Sequence, residues 1–139
     1  MNKLLILLLM TFSTINEDIA QSINVFGQPL ELCCNSPITG FYRDGFCNTG
    51  GSDYGTHVVC SIMTQEFLEF SRSMGNDLST PNEMYAFPGL NPGDKWCLCV
   101  LRWKEAFDAG KAPKVILEAT HDKALKYVTI EDLISHAQK

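Results

Sequence analysis

The chain has 139 residues, of which 45% are hydrophobic and 19% are charged, and its formal net charge is -5. This length predicts one domain, and the hydrophobic fraction is sufficient to build a core without depending on disulfides. The Lys and Arg residues are scattered, so the acidic balance argues against a nucleic-acid partner and against binding to an anionic membrane surface.

The N-terminus has the features of a secretory signal peptide. Lys3 supplies a positive start, and apolar residues dominate from Leu4 to Phe12. A segment of this length fits the hydrophobic region of a signal peptide and is too short to span a bilayer. We therefore expect residues 1–20 to be a signal peptide, residues 21–139 to form a single domain, and the protein to be exported to the periplasm or secreted. A cytoplasmic protein with an apolar extension is the alternative.

The first part of the expected domain is rich in loops. Ile23 to Phe26 has the composition of a short strand, and turn-forming residues then dominate from Pro29 to Thr56. A loop of this length inside a compact domain is typically functional or held by cross-links. It contains three of the six cysteines, namely Cys33, Cys34 and Cys47.

Strands and helices alternate in the rest of the chain. Valine and isoleucine predict a strand from His57 to Met63, and Thr64 is a suitable N-cap for a helix from Gln65 to Met74. Gly75 then suits the position that ends such a helix. We expect the further strands at Lys95–Leu101 and Lys114–Ala119, and the further helices at Arg102–Ala109, after Thr120 and after Thr129.

This order of elements predicts the fold class. We expect an α+β fold in which helices pack on a small sheet of about three to four strands, after a long loop-rich N-terminal part. Strand order does not follow from the sequence.

Several motifs occur in one order along the chain. They are Thr39-Gly40-Phe41-Tyr42-Arg43-Asp44-Gly45, Gly75-Asn76-Asp77-Leu78-Ser79-Thr80-Pro81, Phe87-Pro88-Gly89-Leu90, Trp96-Cys97-Leu98-Cys99 and Arg102-Trp103. Together they resemble the mainly bacterial family known as domain of unknown function 2237, from about Asn24 to Ala137. The resemblance implies neither an activity nor a set of catalytic residues. Most of the cysteines match the family's positions, namely Cys33, Cys47, Cys60, Cys97 and Cys99.

The strongest candidate for a functional centre contains Cys97 and Cys99. At positions i and i+2 of a predicted strand, the two side chains share one face. A metal site completed by Cys60 and His57, or by Cys47, is one interpretation, because thiolate and imidazole are the ligands that Zn²⁺ prefers. Disulfides in an exported protein and burial as small hydrophobic side chains are the alternatives. Zinc is the one cofactor that the sequence suggests.

Two polar loops suggest a ligand pocket. Arg43 and the pair Asn76-Asp77 can line a pocket for a small polar ligand, with the guanidinium group binding a carboxylate or a phosphate. The alternative is that these residues stabilise turns and form one ion pair. The sequence does not identify the ligand.

Two classes of function follow from these observations. The preferred one is a small non-catalytic structural or binding domain with a cysteine/histidine centre, either metal or disulfide. The alternative is a small enzyme with a reactive thiol, Cys97 or Cys99, and His57 or His121 as its base. The sequence contains none of the motifs GxxxxGK[ST], GxGxxG, HExxH and GxSxG, so common nucleotide-binding, zinc-protease and serine-hydrolase chemistry is not indicated.

Overall fold

The sheet has three antiparallel strands in the order β2-β1-β3. They are β1 (His57–Ile62), β2 (Lys95–Cys99) and β3 (Lys114–Val115). The computed structural model describes residues 21–139, and the predicted signal peptide lies outside the described residues. Four consecutive residues at the centre of β1 are buried, as expected of a strand that is covered on both faces.

In the described part of the chain, three α-helices and three short 3₁₀ helices accompany the sheet. The α-helices are α1 (Gln65–Ser73), α2 (Val100–Asp108) and α3 (Ile130–Ser135). The 3₁₀ segments are Glu83–Tyr85, Leu117–Ala119 and Asp122–Lys126. The predicted α+β fold with a small sheet is thus confirmed. Within residues 21–139, no helix has both the length and the apolar character that crossing a membrane requires.

Local chemistry explains where two of the helices begin and where α1 ends. The Thr64 hydroxyl accepts a hydrogen bond from Phe67 N at 3.0 Å, and the Thr129 hydroxyl accepts one from Asp132 N at 3.1 Å. Both are side-chain N-caps, as predicted. Gly75 follows α1 with a φ of 87°, a conformation that glycine adopts without steric cost.

The predicted boundary between β2 and α2 was wrong by two residues. The strand ends at Cys99 and the helix begins at Val100, without a connecting loop. The ladder ends there because β1 begins at His57, which is the register partner of Cys99. Val100 N instead donates a hydrogen bond to Thr56 O at 3.1 Å, which turns the chain into the helix.

Other predicted strands are shorter in the structure. β3 pairs only with Ser61 and Ile62 of β1, and the chain then turns into a 3₁₀ helix at Leu117. The predicted strand at residues 23–26 forms isolated bridges instead of a ladder. Backbone groups in these segments bond both to local turns and to distant parts of the chain, as Val25 N does to Thr120 O and Ile116 N does to Cys60 O. Sequence periodicity does not distinguish such short apolar runs from a strand.

The predicted cap after β3 also needs a correction. His121, and not Thr120, caps the next 3₁₀ helix, because its Nδ1 atom accepts a hydrogen bond from Lys123 N at 3.1 Å. Thr120 is fully buried, and its hydroxyl links Cys60 N and Ile116 O. Its role is therefore to join β1 to the segment after β3.

Helices α1 and α2 and the sheet enclose the main core. Large side chains of β1, β2 and both helices are fully buried there, among them Val58, Val59, Phe67, Leu98 and Trp103. Each such side chain contributes roughly 1.5–3 kcal/mol by leaving water. The indole N–H of Trp103 donates to Pro113 O at 3.3 Å, so this buried polar group is satisfied.

Two disulfides attach the N-terminal loop region to the sheet. Cys33 bonds to Cys60 with a Cα–Cα distance of 5.7 Å, and Cys47 bonds to Cys97 with a Cα–Cα distance of 5.3 Å. Cys60 and Cys97 are direct register partners in β1 and β2. Both cross-links therefore hold the loop region at one place on the sheet, and each is expected to contribute about 2–4 kcal/mol.

The conformation of the turn at Gly40, in the N-terminal loop region, can be tested by substitution. Gly40 has a φ of 96°, and an added Cβ would collide with Phe46 O. We expect Gly40→Ala to lower the free energy of unfolding by more than about 1 kcal/mol, measured by urea denaturation. Gly51→Ala is the matched control in the same loop region, because no atom lies within 4 Å of its added Cβ. Equal effects of the two substitutions would contradict this account of the turn.

Candidate functional site

A cavity of about 810 Å³ opens at the end of the sheet where β2 passes into α2. Three parts of the chain line it: residues 40–57, residues 76–87 and residues 96–102. Aromatic side chains form much of its surface, namely Phe41, Tyr85, Phe87 and Trp96. The polar loops singled out in the sequence, with Arg43 and Asn76-Asp77, do line one pocket.

Arg43 connects two walls of the cavity. Its Nη1 donates to Gly40 O at 2.6 Å and its Nη2 donates to Tyr85 O at 3.0 Å. The guanidinium carbon lies 5.0 Å from the centre of the Trp96 ring, a cation–π arrangement. Burial lowers the pKa of Arg43, but a guanidinium group stays charged at neutral pH. Each terminal nitrogen retains one further N–H group for a ligand.

A second guanidinium group comes from the first turn of α2. Arg102 Nη1 donates to Met74 O at 3.2 Å and lies 3.3 Å from Glu105 Oε2. This half-exposed ion pair is weak, because water screens both charges. Arg102 therefore keeps much of its capacity to attract an anion.

Asp77 is the carboxylate on the cavity wall, and its oxygens are already occupied. The Thr80 hydroxyl and the backbone N–H groups of Ser79 and Thr80 donate to it at 2.7, 2.8 and 3.2 Å. These hydrogen bonds, with the hydroxyl of Thr80 first, hold the pKa of Asp77 below its ordinary value. Two arginines and one aspartate thus line this cavity in a protein whose formal net charge is -5.

His57 is held by a buried carboxylate. Its Nδ1 lies 2.6 Å from Asp53 Oδ1, and the Asp53 side chain has no exposed surface. Asp53 also accepts hydrogen bonds from His57 N at 2.9 Å and from the Thr49 hydroxyl at 3.0 Å. Burial raises the pKa of Asp53, but these hydrogen bonds outweigh burial and leave its pKa below the ordinary value. The ionised carboxylate places the proton on Nδ1 and leaves Nε2 as the basic nitrogen.

Cys99 lies opposite this histidine. His57 and Cys99 are register partners in β1 and β2, and both line the cavity. Among the described residues, Cys99 and Cys34 are the free cysteines, and both are half-buried. The Phe41 ring stacks on the imidazole with a centroid distance of 6.3 Å. A thiol and an imidazole therefore line the same cavity, and the buried Asp53 carboxylate lies behind the imidazole.

The four residues predicted as zinc ligands have different environments. Cys97 is bonded to Cys47 and Cys60 is bonded to Cys33, so neither carries a free thiolate. Cys97, Cys99 and His57 all line the cavity. In the described part of the chain, a group of ligand atoms within 4.8 Å of one another is formed by Cys33, Cys47 and Cys97. Of the four predicted residues, this group contains Cys97.

Other residues singled out in the sequence lie away from the cavity. His121 is buried, its Nδ1 lies 2.8 Å from Asp122 Oδ1, and burial lowers its pKa. It is not among the residues that line the cavity. Sequence reasoning missed Asp53, whose only signal was its position four residues before His57 in a turn-rich segment.

The buried carboxylate predicts a dependence of stability on pH. Because the folded-state pKa of Asp53 is lowered, its contribution is fully present above the unfolded pKa of about 3.9 and is lost as the pH falls through the folded value. We expect Asp53→Asn to destabilise the protein by about 1–3 kcal/mol at pH 7. The difference from wild type should shrink below about pH 4, measured by urea denaturation across pH.

Asp108→Asn is the control for this prediction. Asp108 is exposed and pairs with Lys104 on the surface of α2. Its loss should change stability by less than about 0.5 kcal/mol at any pH. A constant difference between wild type and Asp53→Asn from pH 7 to pH 3 would refute the assignment of an ionised, hydrogen-bonded Asp53.

Comparison with known proteins agrees with the family resemblance of the sequence motifs. No curated protein matches the chain. One family does match, over residues 23–137, and it is described as an uncharacterized protein conserved in bacteria (DUF2237). The matched region contains both disulfides and every residue that lines the cavity. The chain therefore belongs to the family of domain of unknown function 2237.

Proposed function

We propose that this protein is a disulfide-held binding domain whose cavity takes a small aromatic carboxylate. The observation that carries the proposal is that Arg43 and Arg102 line one aromatic cavity in a protein with a formal net charge of -5. The guanidinium groups supply donors for a carboxylate, and the aromatic side chains supply apolar surface for a flat ring.

The environment of Arg43 supports this proposal. Its guanidinium group is fixed by Gly40 O, by Tyr85 O and by the Trp96 ring before any ligand arrives. A group that is already ordered loses little conformational entropy on binding. Because these contacts order the guanidinium group in advance, a small ligand can bind with useful affinity through few interactions.

The disulfides have a structural role in this proposal. Phe41 and Arg43 lie in the chain segment between Cys33 and Cys47, and each of these cysteines is bonded to the sheet. The cross-links therefore hold one wall of the cavity against β2. This role requires oxidised cysteines and no catalytic turnover.

We also propose that the protein is exported to the periplasm or secreted. Disulfides such as these two persist in oxidising compartments and are rare in the cytosol. The apolar residues near the N-terminus supply the expected signal peptide.

Ligand charge can be tested with three compounds that share one ring. We expect benzoate to bind and to shift backbone amide NMR signals of residues that line the cavity, with benzamide and benzylamine binding at least about fivefold more weakly. Arg102→Gln should weaken benzoate binding by about three- to tenfold, the range for loss of a partly screened charge-assisted contact.

Lys104→Gln is the matched control, because Lys104 is in the same helix and pairs with Asp108 outside the cavity. It should leave benzoate affinity within about twofold, since surface pairs contribute little. Equal binding of benzoate and benzamide, or equal effects of the two substitutions, would sink the proposal of an anion site.

A zinc site is our second candidate, and it applies to the reduced protein. The Sγ atoms of Cys33, Cys47 and Cys97 lie within 4.8 Å of one another, and Cys60 is bonded to this group. After a phosphine reductant transfers four electrons to the two disulfides, four thiols are available, and four thiolates suffice for tetrahedral Zn²⁺. The originally predicted set, Cys97, Cys99, Cys60 and His57, is the competing ligand set.

Native mass spectrometry of the reduced protein tests this candidate. We expect one Zn²⁺ to bind after reduction and none to bind to the oxidised protein, because oxidised cysteines supply no thiolate. Cys47→Ser should abolish binding if the site is the buried cluster, whereas Cys99→Ser should abolish it if the site is the predicted set. Absence of zinc from the reduced, folded protein would reject both ligand sets.

A further inference from the structure

Cys99 differs from the other matched cysteines in being a free thiol at a cavity wall. Its half-buried side chain lines the same cavity as His57, its direct partner across the two strands. Directly opposed residues of antiparallel strands have Cβ atoms about 4.5–5.5 Å apart. At such a spacing a thiol and an imidazole can approach each other, and here the register of β1 shifts between His57 and Val59.

The partner histidine is oriented to act as a base. Asp53 Oδ1 holds His57 Nδ1 at 2.6 Å, which directs the basic Nε2 atom away from the carboxylate. Gly55 is needed beside the ring, because a Cβ on Gly55 would lie 2.5 Å from the His57 Cε1 atom. A carboxylate that orients an imidazole in this way is the part of a catalytic triad that activates a neighbouring nucleophile in hydrolases of several folds.

The start of α2 completes the arrangement. Cys99 is the N-cap residue of this nine-residue helix, and among the described residues no side chain caps it. Val100 N donates to Thr56 O, but the next two backbone N–H groups, those of Leu101 and Arg102, have no acceptor within the helix. Backbone donors that directly follow a nucleophile can stabilise the oxyanion of an acyl-transfer reaction.

We propose that Cys99 is the nucleophile of an acyl-transfer site, with His57 as the general base and Asp53 as a positioning residue. The proton of the thiol moves to His57 Nε2 while Sγ forms a bond to the carbonyl carbon of an ester. The C–O bond to the leaving group then breaks, and His57 returns the proton to the leaving oxygen. Water hydrolyses the S-acyl intermediate by the reverse proton transfers and releases the acid.

This inference uses the cavity of the proposed function but does not require its preference for anions. The test therefore uses an uncharged ester, p-nitrophenyl acetate, with peptide mapping by mass spectrometry. Loss of benzoate selectivity would then leave the acylation result unaffected, and the two proposals can fail separately.

Cys34 is an internal control, because it is the other free half-buried thiol of the described residues and does not line the cavity. We expect Cys99 to be acetylated at least about tenfold faster than Cys34 in the same sample. His57→Ala should slow acetylation of Cys99 by about 100-fold, within the range for general bases. The rate at Cys34 should not change.

The positioning role of Asp53 has a separate readout. The proton between His57 Nδ1 and Asp53 Oδ1 should give a downfield ¹H NMR signal that disappears in Asp53→Asn, together with slower acetylation of Cys99. Intact mass without reduction verifies that each variant retains both disulfides. If His57→Ala does not fold, the acetylation rates of Cys99 and Cys34 in the wild-type protein still test the proposal. Equal acetylation of the two thiols, or a His57→Ala rate equal to wild type, would overturn the proposal.

Discussion

The structure depends on the place where two disulfides meet one cross-strand pair. Cys60 and Cys97 face each other in β1 and β2, and each is bonded to a cysteine of the N-terminal loop region. That region has isolated bridges and turns but no strand of the sheet, and its backbone bonds to the rest of the fold, such as Val25 N to Thr120 O and Glu31 N to Glu118 O, are scattered. The two disulfides therefore provide the attachment of this region that further strand pairing would provide in a longer sheet.

The disulfides also divide the cysteines into oxidised ones that stabilise the fold and free ones that remain reactive. Four thiols are oxidised and three of their sulfur atoms form a tight buried group, which serves the fold. Cys99 is two residues from Cys97 on the same strand and both line the cavity, but Cys99 is a free thiol. The two residues that formed one motif in the sequence thus have different roles in the structure, one in cross-linking and one at the candidate site.

Elements determined by neighbouring residues could be predicted from the sequence. Thr64 and Thr129 cap helices through hydrogen bonds to residues three positions later, and Gly75 ends a helix by its own conformation. The end of β2 was harder to predict from the sequence, because it depends on where β1 begins, more than 30 residues earlier. Six cysteines allow 15 full pairings, and the observed arrangement of two disulfides with Cys34 and Cys99 free is not one of them. The Asp53–His57 contact depends on a turn whose shape no local pattern specifies.

The unequal attachment of the cavity walls has a consequence for ligand size. The wall that carries Phe41 and Arg43 is tied covalently to the sheet, whereas residues 76–94 contain no cysteine and expose Met84 and Tyr85 at 85% and 68%. Any adjustment to a larger or smaller occupant must therefore come from one side, by movement of residues 76–94 against a fixed reference wall. Related sequences that differ in ligand should accordingly vary in the length and composition of this segment while the opposite wall keeps its spacing.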